Sequence, residues 1–551
     1  MFVFMRKCRR RESDRNEPTN PMKKLICHAT AGLVGAALTT SSASAANVLL
    51  NPGFELDPAG ETTTILGWNA YGGNAYSETS AAQAHSGTNY LKVYQAFNGQ
   101  VNYTGVYQDY ISGPGAVYSA NGWACTLSSD KLAGQNAAWI EVTFRDSDAN
   151  VLALYRSELI TANAIAAGVF PVNTWLDLPV TNQYNPVTYQ VTNFVSQLVA
   201  PAGTYFLRCQ IVFQGDANYS AGSVYFDDLT LTPIGNSPYG NFNIVWSDEF
   251  NGSSINTNVW TFDIGNGGSN PGWGNDELEY YTSNAANACV SNGFLHIVAL
   301  QQSIDGFSYT SARMKSEGLF SWLYGRIEWR AQLPQGVGCW PALWMLGTNF
   351  TTIGWPGSGE VDVMENNGGN VFAVQGSLHS GSDETAICNF IGGDAATNFH
   401  TYTLDWTSNA FLFYVDGHLY ETQTTWGSST TNSYPFPFNQ PFFFLMNMAI
   451  GGSYLGDPSM QAINAGTPFP VEMLVDYFRI YTQTAPLQIF IAATNSNIYL
   501  SWPSNIVCHL QGQTNIGSGG LGTNWINIAT TTNSLQIPPG NGTAFYRLAS
   551  P

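Results

Sequence analysis

The feature that most constrains the fold is a stretch near the middle of the chain, residues 359–367, with the sequence GEVDVMENN. Its valines and methionine indicate a strand that is packed on one face. Among them stand three carboxylates, Glu360, Asp362 and Glu365. An ionised carboxylate is costly to bury without a partner, so we expect the acids to face an open cleft. The chain must therefore fold around a sheet with one packed face and one open face.

The spacing of these acids predicts a local irregularity in the strand. Side chains alternate with a period of two, which places Glu360 and Asp362 on one face and Glu365 on the other. A one-residue β-bulge near Val363 and Met364 would return Glu365 to the first face. The two glutamate Cα atoms would then lie roughly 13 Å apart. Inward-reaching side chains would leave roughly 5 Å between their carboxyl groups, a distance that suits a retaining glycosidase, with Asp362 between them. A solvated acidic edge strand or a structural calcium site could carry the same residues.

The sequence around this strand resembles glycoside hydrolase family 16 over nearly all of residues 241–482. Residues 355–365, WPGSGEVDVME, are similar to the active-site strand of laminarinase-like members, which has a bulged Glu-x-Asp-x-x-Glu motif. The resemblance implies a jelly-roll sandwich that cuts β-1,3 links of laminarin-like or mixed-linkage glucans. Five further blocks are similar to the same family: VWSDEFNG (245–252), GWGNDELEYYT (272–282), YTSAR (309–313), YGRIEWR (324–330) and GCWPALWMLG (338–347).

The resemblance also implies a role for each acid. Glu360 becomes the nucleophile, Glu365 the general acid/base, and Asp362 the residue that positions and tunes the nucleophile. The mechanism implied is a double displacement with retention at the anomeric carbon. No cofactor is expected for catalysis.

Several residues are expected to contact the glycan. Aromatic rings pack against the apolar faces of glucose, and two tryptophans spaced four apart share one face of a strand. Each ring could instead fill the core, and the arginine, histidine and second asparagine could be structural. The tryptophan candidates are Trp340, Trp344 and Trp355. The family resemblance adds Asn275, Arg313 and Asn447, and His379 is a candidate because it follows the next predicted strand, near Glu365.

The resemblances further suggest a structural calcium ion, since carboxylate oxygens are suitable ligands for this hard cation. Asp476, with Glu249 nearby, would hold it in the family 16 region. Glu55 and Asp228, at the two ends of the preceding region, would hold one there, as the matching acids do in the jelly-roll carbohydrate-binding modules of families 4 and 22, which these two ends resemble. A salt bridge or a solvated carboxylate is the alternative for each of these acids.

The whole chain reads as an all-β protein of several domains. Only 10% of its 551 residues are charged, 14% are aromatic and 55 are glycine, a composition rich in strand and turn formers. LNPGFE at 50–55 and VYFDDL at 224–229 resemble the two ends of jelly-roll carbohydrate-binding modules of families 4 and 22. The expected parts are a start region with a secretory signal (1–46), a carbohydrate-binding jelly roll (47–233), a linker (234–240), the family 16 catalytic jelly roll (241–482) and a small β-module (483–551).

The start of the chain predicts export. Basic residues from Met22, an apolar run over 25–38 and small residues up to Ala46 have the order of a secretory signal. The protein is expected to be secreted, extracellular or periplasmic, and monomeric. Without residues 1–45, which hold eight Lys/Arg and three Asp/Glu, the net charge falls from −19 to −24. Such a charge repels nucleic acid and anionic membrane surfaces, whereas a neutral β-glucan polysaccharide is not repelled.

Six cysteines follow the signal, and none forms a Cys-x-x-Cys pair, so a zinc or redox motif is not indicated. A Cys125–Cys209 bridge, a pair among Cys289, Cys339 and Cys388, or buried free thiols are all compatible with the sequence. Two alternative functions also stay open: a retaining galactanase of the agarase or carrageenase type on the same fold, and a glycan-binding protein without catalysis.

Overall fold

The computed structural model describes residues 46–234 and 238–483, with six short segments beyond them: 490–494, 497–501, 509–513, 525–528, 534–537 and 545–549. The expected secretory signal lies outside the described residues, as do residues 235–237 of the expected linker. Across the described parts nearly every regular element is a strand, which confirms the all-β prediction. In those parts, no helix is long and apolar enough to cross a membrane.

The first group of elements forms a β-sandwich, here called the first sandwich. It contains one short helix, α1 (Ala162–Ala166), and the strands β1 (Asn69–Tyr71), β2 (Ala75–Thr79), β3 (Asn89–Tyr94), β4 (Asn102–Ile111), β5 (Val117–Cys125), β6 (Ala137–Arg145), β7 (Val151–Ser157), β8 (Ile160–Thr161), β9 (Leu176–Asp177), β10 (Val180–Tyr184), β11 (Val191–Phe194), β12 (Leu198–Val199), β13 (Phe206–Gly215) and β14 (Ser223–Pro233).

The second group forms another β-sandwich, here called the second sandwich. Its helices are α2 (Phe350–Ile353) and α3 (Met460–Gly466), with single 3₁₀ turns at Pro271–Gly274 and Ser453–Leu455. Its strands are β15 (Phe242–Asp248), β16 (Thr261–Asp263), β17 (Glu279–Tyr281), β18 (Ala288–Ser291), β19 (Phe294–Ala299), β20 (Tyr309–Ser311), β21 (Arg313–Lys315), β22 (Gly325–Gln332), β23 (Cys339–Gly347), β24 (Glu360–Glu365), β25 (Ala373–His379), β26 (Asp383–Asn389), β27 (His400–Trp406), β28 (Phe411–Val415), β29 (His418–Gln423), β30 (Phe442–Ile450) and β31 (Val471–Gln483).

Each sandwich packs two sheets around an apolar core. In the first, the order β11-β10-β7-β6-β13-β4 faces the order β12-β5-β14-β3-β2. In the second, the order β16-β21-β30-β23-β24-β25-β26 faces the order β29-β28-β27-β22-β31-β19-β18. The core between the latter two sheets includes the fully buried Trp260, Trp329 and Trp406. The strand with the three acids, β24, lies inside its sheet, so only the face away from this core is open.

The two sandwiches are joined by direct contacts. His418 of β29 pairs with Tyr110 of β4, so one sheet continues from the second sandwich into the first. Arg326 on β22 is fully buried, and its guanidinium donates to the backbone oxygens of Ser112 and Tyr205 in the first sandwich. An apolar cluster closes the junction: Ile111, Phe206, Ala410, Leu412 and Tyr414.

Two small three-stranded sheets follow in the described segments near the end of the chain. The first has the order β32-β33-β36 and the second β35-β34-β37. Leu500 of the first sheet and Leu510 of the second are buried and form a small apolar cluster. The strands are β32 (Phe490–Thr494), β33 (Asn497–Ser501), β34 (His509–Gln513), β35 (Ile526–Asn527), β36 (Ser534–Ile537) and β37 (Phe545–Ala549).

The cysteines of the sandwiches form neither of the bridges that the sequence left possible. Cys125 and Cys209 are buried free thiols, as are Cys339 and, half-buried, Cys388. Burial raises the pKa of the Cys209 and Cys339 thiols to about 12, so they stay protonated. The buried-thiol alternative is therefore correct for Cys125 and Cys209.

Candidate active site

The predicted β-bulge in β24 is present and brings the three acids together. Asp362 pairs with Trp344 on one neighbouring strand and with Ser377 on the other. Glu365 pairs with Ala342 and Gln375, two residues farther along each neighbour. Three steps on β24 thus match two steps on both sides, and the extra residue turns Glu365 back to the open face. As a result, Glu360, Asp362 and Glu365 line one cleft of about 730 Å³.

The cleft crosses the strands of the open sheet. Arg313 of β21, Asn447 of β30 and the acids of β24 lie along it, and Asp383 of the edge strand β26 lies at one end. A concave site of this size, lined by aromatic rings and convergent polar groups, suits an oligosaccharide. All ten residues predicted to act or to bind in this region line it: Asn275, Arg313, Trp340, Trp344, Trp355, Glu360, Asp362, Glu365, His379 and Asn447.

Glu365 has the environment of a proton donor. It is only 8% exposed, and the Trp340 indole Nε1 donates to its Oε1 at 3.0 Å. Burial, and then the negative charge of Asp362, raise the pKa of Glu365 to about 8. A carboxyl group with this pKa holds its proton at neutral pH, as a general acid requires.

Glu360 lies at the more open end of the acidic group. The indole Nε1 of Trp355 donates to its Oε2 at 2.6 Å, although Trp355 itself is 56% exposed. Burial and the charge of Asp362 raise the pKa of Glu360, whereas His379 and the indole hydrogen bond act in the opposite direction. Because carboxylates this close cannot all ionise freely, the group keeps at least one proton at neutral pH.

His379 supplies a cation to the acidic group. Its Nε2 lies 3.1 Å from Asp362 Oδ2, and its Nδ1 lies 2.7 Å from Asp383 Oδ1. Burial lowers the pKa of His379, but Asp362, Glu360 and Asp383 outweigh burial and raise it to about 10. The imidazole therefore carries a proton on both nitrogens at neutral pH and holds Asp362 in place.

Sequence reasoning missed Asp383. The signal that could have found it is the short turn after His379, because a hairpin there pairs His379 with Asp383 across β25 and β26. Gln375, Glu277, Trp273 and Tyr454 also line the cleft without having been predicted. Gln375 lies four residues before His379 on β25. Strand periodicity alone would therefore have placed both side chains on the open face.

The tryptophans of the cleft are held by specific partners. The Trp340 ring stacks on Tyr454 with 4.9 Å between ring centroids. The Trp344 indole donates to Asn447 Oδ1 at 2.7 Å, and the Arg313 guanidinium lies 4.7 Å from the Trp344 ring centroid. Trp355 and Trp340 therefore face the cleft with their nitrogens bound to the two glutamates, while Trp344 forms part of the wall.

The far end of the cleft is a network of buried polar groups. Asn275 donates to Glu277 Oε1 at 3.2 Å, and the Tyr281 hydroxyl donates to Glu277 Oε2 at 2.8 Å. Asn447 in turn donates to the Tyr281 oxygen at 3.1 Å. Arg313 is anchored by Asp263 at 3.1 Å. The charge of Arg313 is thus already balanced within the protein. This pairing supports a role for Arg313 that is at least partly structural.

The acids predicted to hold calcium do not fit that role. Asp476 pairs with Arg330 at 2.5 Å, and Glu249 pairs with Arg479 at 2.7 Å, which is the salt-bridge alternative. A carboxylate neutralised by a guanidinium is a poor ligand for a cation. Within the described residues, no three His, Cys, Asp or Glu side chains gather so that they could hold a metal.

Glu55 and Asp228, the acids predicted to hold calcium in the first sandwich, accept hydrogen bonds from nearby groups. Glu55 Oε1 accepts from the backbone nitrogens of Thr88 and Asn89, each at 2.8 Å. Asp228 lies 2.6 Å from His85 Nδ1 and accepts from the Ser86 hydroxyl at 2.8 Å. These local donors explain both acids without an ion.

Comparison with known proteins agrees with this site. The model of "Glycosyl hydrolases family 16" matches residues 272–464, which include β24. A β-glucanase of Rhodothermus marinus is 38% identical over 256 residues, 43% of this chain and 84% of the relative. A glucan endo-1,3-beta-glucosidase of Cryptopygus antarcticus is 36% identical over 253 residues, 42% of this chain and 91% of the relative. The laminarinase catalytic domain of Thermotoga maritima MSB8 is 39% identical, covers 44% of this chain and 99% of that domain, and has a TM-score of 0.40.

Two relatives are thus matched over most of their length, and the acids of β24 stand within the matched region. The chain belongs to glycoside hydrolase family 16, and it is a glycoside hydrolase.

Proposed function

We propose that the protein is a secreted endo-β-1,3-glucanase that cuts laminarin-like glucans by a retaining double displacement. The observation that carries this proposal is the bulge in β24, since it sets Glu360, Asp362 and Glu365 on one face of one cleft. The names of the two relatives, a β-glucanase and a glucan endo-1,3-beta-glucosidase, support the choice of substrate.

In the first step, the carboxylate of Glu360 attacks the anomeric carbon. The bond to the leaving oxygen breaks, and Glu365 gives its proton to that oxygen. The product is a glycosyl ester on Glu360, and the fragment carrying the new hydroxyl leaves. The Trp355 indole and the His379 cation favour the charged form of Glu360 that this attack needs.

In the second step, Glu365 is a carboxylate and takes a proton from water. The water oxygen attacks the anomeric carbon and expels Glu360, so two inversions retain the configuration. Asp362 stays bound to His379 and keeps a negative charge beside the reacting carbon, where positive charge develops.

The charges of the cleft favour a neutral polymer. Acidic residues that line it are Glu277, Glu360, Asp362, Glu365 and Asp383. Among the residues that line it, the cations are Arg313 and His379, and both are paired with carboxylates. A sulfated galactan would meet repulsion without an available cation. This is why we prefer the glucan over the galactan alternative.

Product analysis tests this choice. The wild type and Glu360→Gln are incubated with laminarin, lichenan, curdlan, agarose and κ-carrageenan. We expect laminarin oligosaccharides from the wild type and at least a thousandfold slower release from the variant, since the nucleophile is lost. Products from a galactan alone would contradict the substrate, and undiminished activity of Glu360→Gln would contradict the nucleophile.

Two further parts of the proposal concern the residues that precede the catalytic region. We propose that residues 1–46 direct export and are then removed, which amino-terminal sequencing of the protein from the culture medium would test. We propose that the first sandwich binds glycan. The jelly-roll resemblance of its two ends supports this role.

A further inference from the structure

We infer that the groove between the two sandwiches binds a stretch of the same β-glucan chain that occupies the active-site cleft. This inference rests on the proposed function. The groove has a volume of about 470 Å³, and both sandwiches contribute to its walls. The walls include Asn69, Tyr107 and Arg208 of the first sandwich and Ile387, Asn389 and His418 of the second.

The edge strand β26 lines both the cleft and the groove. Asp383, at the start of β26, lines the cleft, whereas Ile387 and Asn389 on the same strand line the groove. Alternate residues of β26 are exposed, so Asp383, Thr385, Ile387 and Asn389 form one row on the open face. The step from Asp383 to Ile387 is about 13 Å at the rise of an extended strand. A glucan chain that leaves the cleft at Asp383 and follows this row along β26 would therefore reach the groove.

The lining of the groove suits a neutral sugar chain. Ile387 is 60% exposed, which offers an apolar surface beside the amides of Asn389 and Asn69. The Arg208 guanidinium forms a bidentate ion pair with the Asp109 carboxylate, with both N–O distances 2.7 Å, and lies 3.7 Å from the Tyr107 ring centroid. Its charge is therefore balanced within the protein. Apolar surface with a few placed hydrogen-bonding groups is the usual make-up of a saccharide site.

The remaining titratable groups do not favour a charged ligand. Burial lowers the pKa of His418 to about 4, so this side chain is neutral at neutral pH. Glu421 also lines the groove, and burial raises its pKa. With Arg208 already paired, a phosphate or sulfate polymer would find no unpaired cation among the residues that line the groove.

The groove is assembled before a ligand arrives. Arg326 and the apolar cluster at the junction fix the first sandwich on the second. His418, which lines the groove, pairs with Tyr110, so the lining strands β4 and β29 belong to one continuous sheet. Since neither wall has to be ordered on binding, the entropic cost of engaging a second stretch of polymer is small.

The test compares the full-length wild type with Ile387→Asp and Asn389→Ala. Both side chains are exposed, so neither change disturbs the core. Val187→Asp is the matched control, because it also places a carboxylate on an exposed aliphatic position. Val187 is 82% exposed and lies in the turn between β10 and β11, at the far edge of the first sandwich. Kinetics are measured on long-chain laminarin and on a laminari-oligosaccharide too short to extend beyond the cleft.

We expect KM for long-chain laminarin to rise about fivefold or more in Ile387→Asp and by a smaller factor in Asn389→Ala, as for the loss of one apolar or polar contact. The short substrate and Val187→Asp should show wild-type kinetics. Unchanged KM for laminarin, or an equal loss on both substrates, would overturn the groove assignment and leave the proposed function in place. If the wild type releases no products from laminarin, the proposed function fails and the groove assignment fails with it.

Discussion

At the scale of single residues, the site depends on one cation placed among carboxylates. His379 bridges Asp362 and Asp383, and the charge of Glu360 adds to their effect on its pKa. An imidazole in ordinary surroundings would be neutral at neutral pH, and Asp362 would then add uncompensated charge beside the two glutamates. Asp383 thus acts through His379 and is a positioning residue.

Replacing Asp383 with asparagine should lower the pKa of His379 from about 10, because one of the carboxylates that favour the imidazolium loses its charge. The value should stay above the ordinary one, since Asp362 and Glu360 remain. His379 contributes stability that is complete below its unfolded pKa and is lost as pH rises through the folded pKa, so the variant should lose this contribution at lower pH. NMR titration of the histidine ring protons measures the shift.

Asp305→Asn is the control for this titration, since Asp305 is exposed and is not among the residues lining the cleft. A pKa of His379 that is the same in Asp383→Asn and in the wild type would contradict the role of Asp383.

At the scale of elements, the bulge in β24 decides what the acids can do. Its position could be predicted from the sequence, because the number of residues between Glu360 and Glu365 conflicts with a period of two. The pairing of His379 with Asp383 could not, since it depends on the turn and register that join β25 and β26. The arginine partners of Asp476 and Glu249 come from residues 146 and 230 positions away, a proximity that only the fold creates.

Deleting Val363 should restore regular pairing of β24 and leave Glu365 on the open face, since Glu365 then stands four residues after Glu360. Because no carboxyl group is turned into the apolar core, the deletion variant should keep part of the wild-type activity and a melting temperature close to that of Val363→Ala. Val363→Ala is the matched control, because it keeps the bulge and removes only buried methyl groups, at a cost of about 1 to 3 kcal/mol. Activity assays and thermal unfolding measure both variants. Complete loss of activity in the deletion variant, with Val363→Ala still active, would contradict this account of the bulge.

At the scale of the whole molecule, the two sandwiches form a joined body rather than two separately tethered units. The sequence indicated two jelly rolls, yet nothing in it marked Arg326 as the residue that connects them. Arg326 is fully buried, and its pair with Asp405 at 2.7 Å lies beside the carbonyls of the first sandwich. The strand pattern predicts each sheet, but contacts between sheets of different sandwiches depend on side chains that meet only after both have folded.

Replacing Arg326 with alanine should destabilise the protein by about 3 to 5 kcal/mol, because Asp405 is left buried without its partner. Arg330→Ala is the matched control on the same strand. Its pair with Asp476 is about one-third exposed, so the loss should stay below about 1 kcal/mol. Urea unfolding of the full-length protein measures both. Equal losses would contradict the role of Arg326 at the junction.

The central claim is that the acids of β24 hydrolyse a β-glucan with retention of configuration. The most direct measurement is proton NMR of laminarin during the first minutes of hydrolysis, before the released reducing ends mutarotate. We predict that the β anomer appears first and that Glu360→Gln releases none on the same time scale. The α anomer as first product would contradict the double displacement and the assignment of Glu360 as the nucleophile.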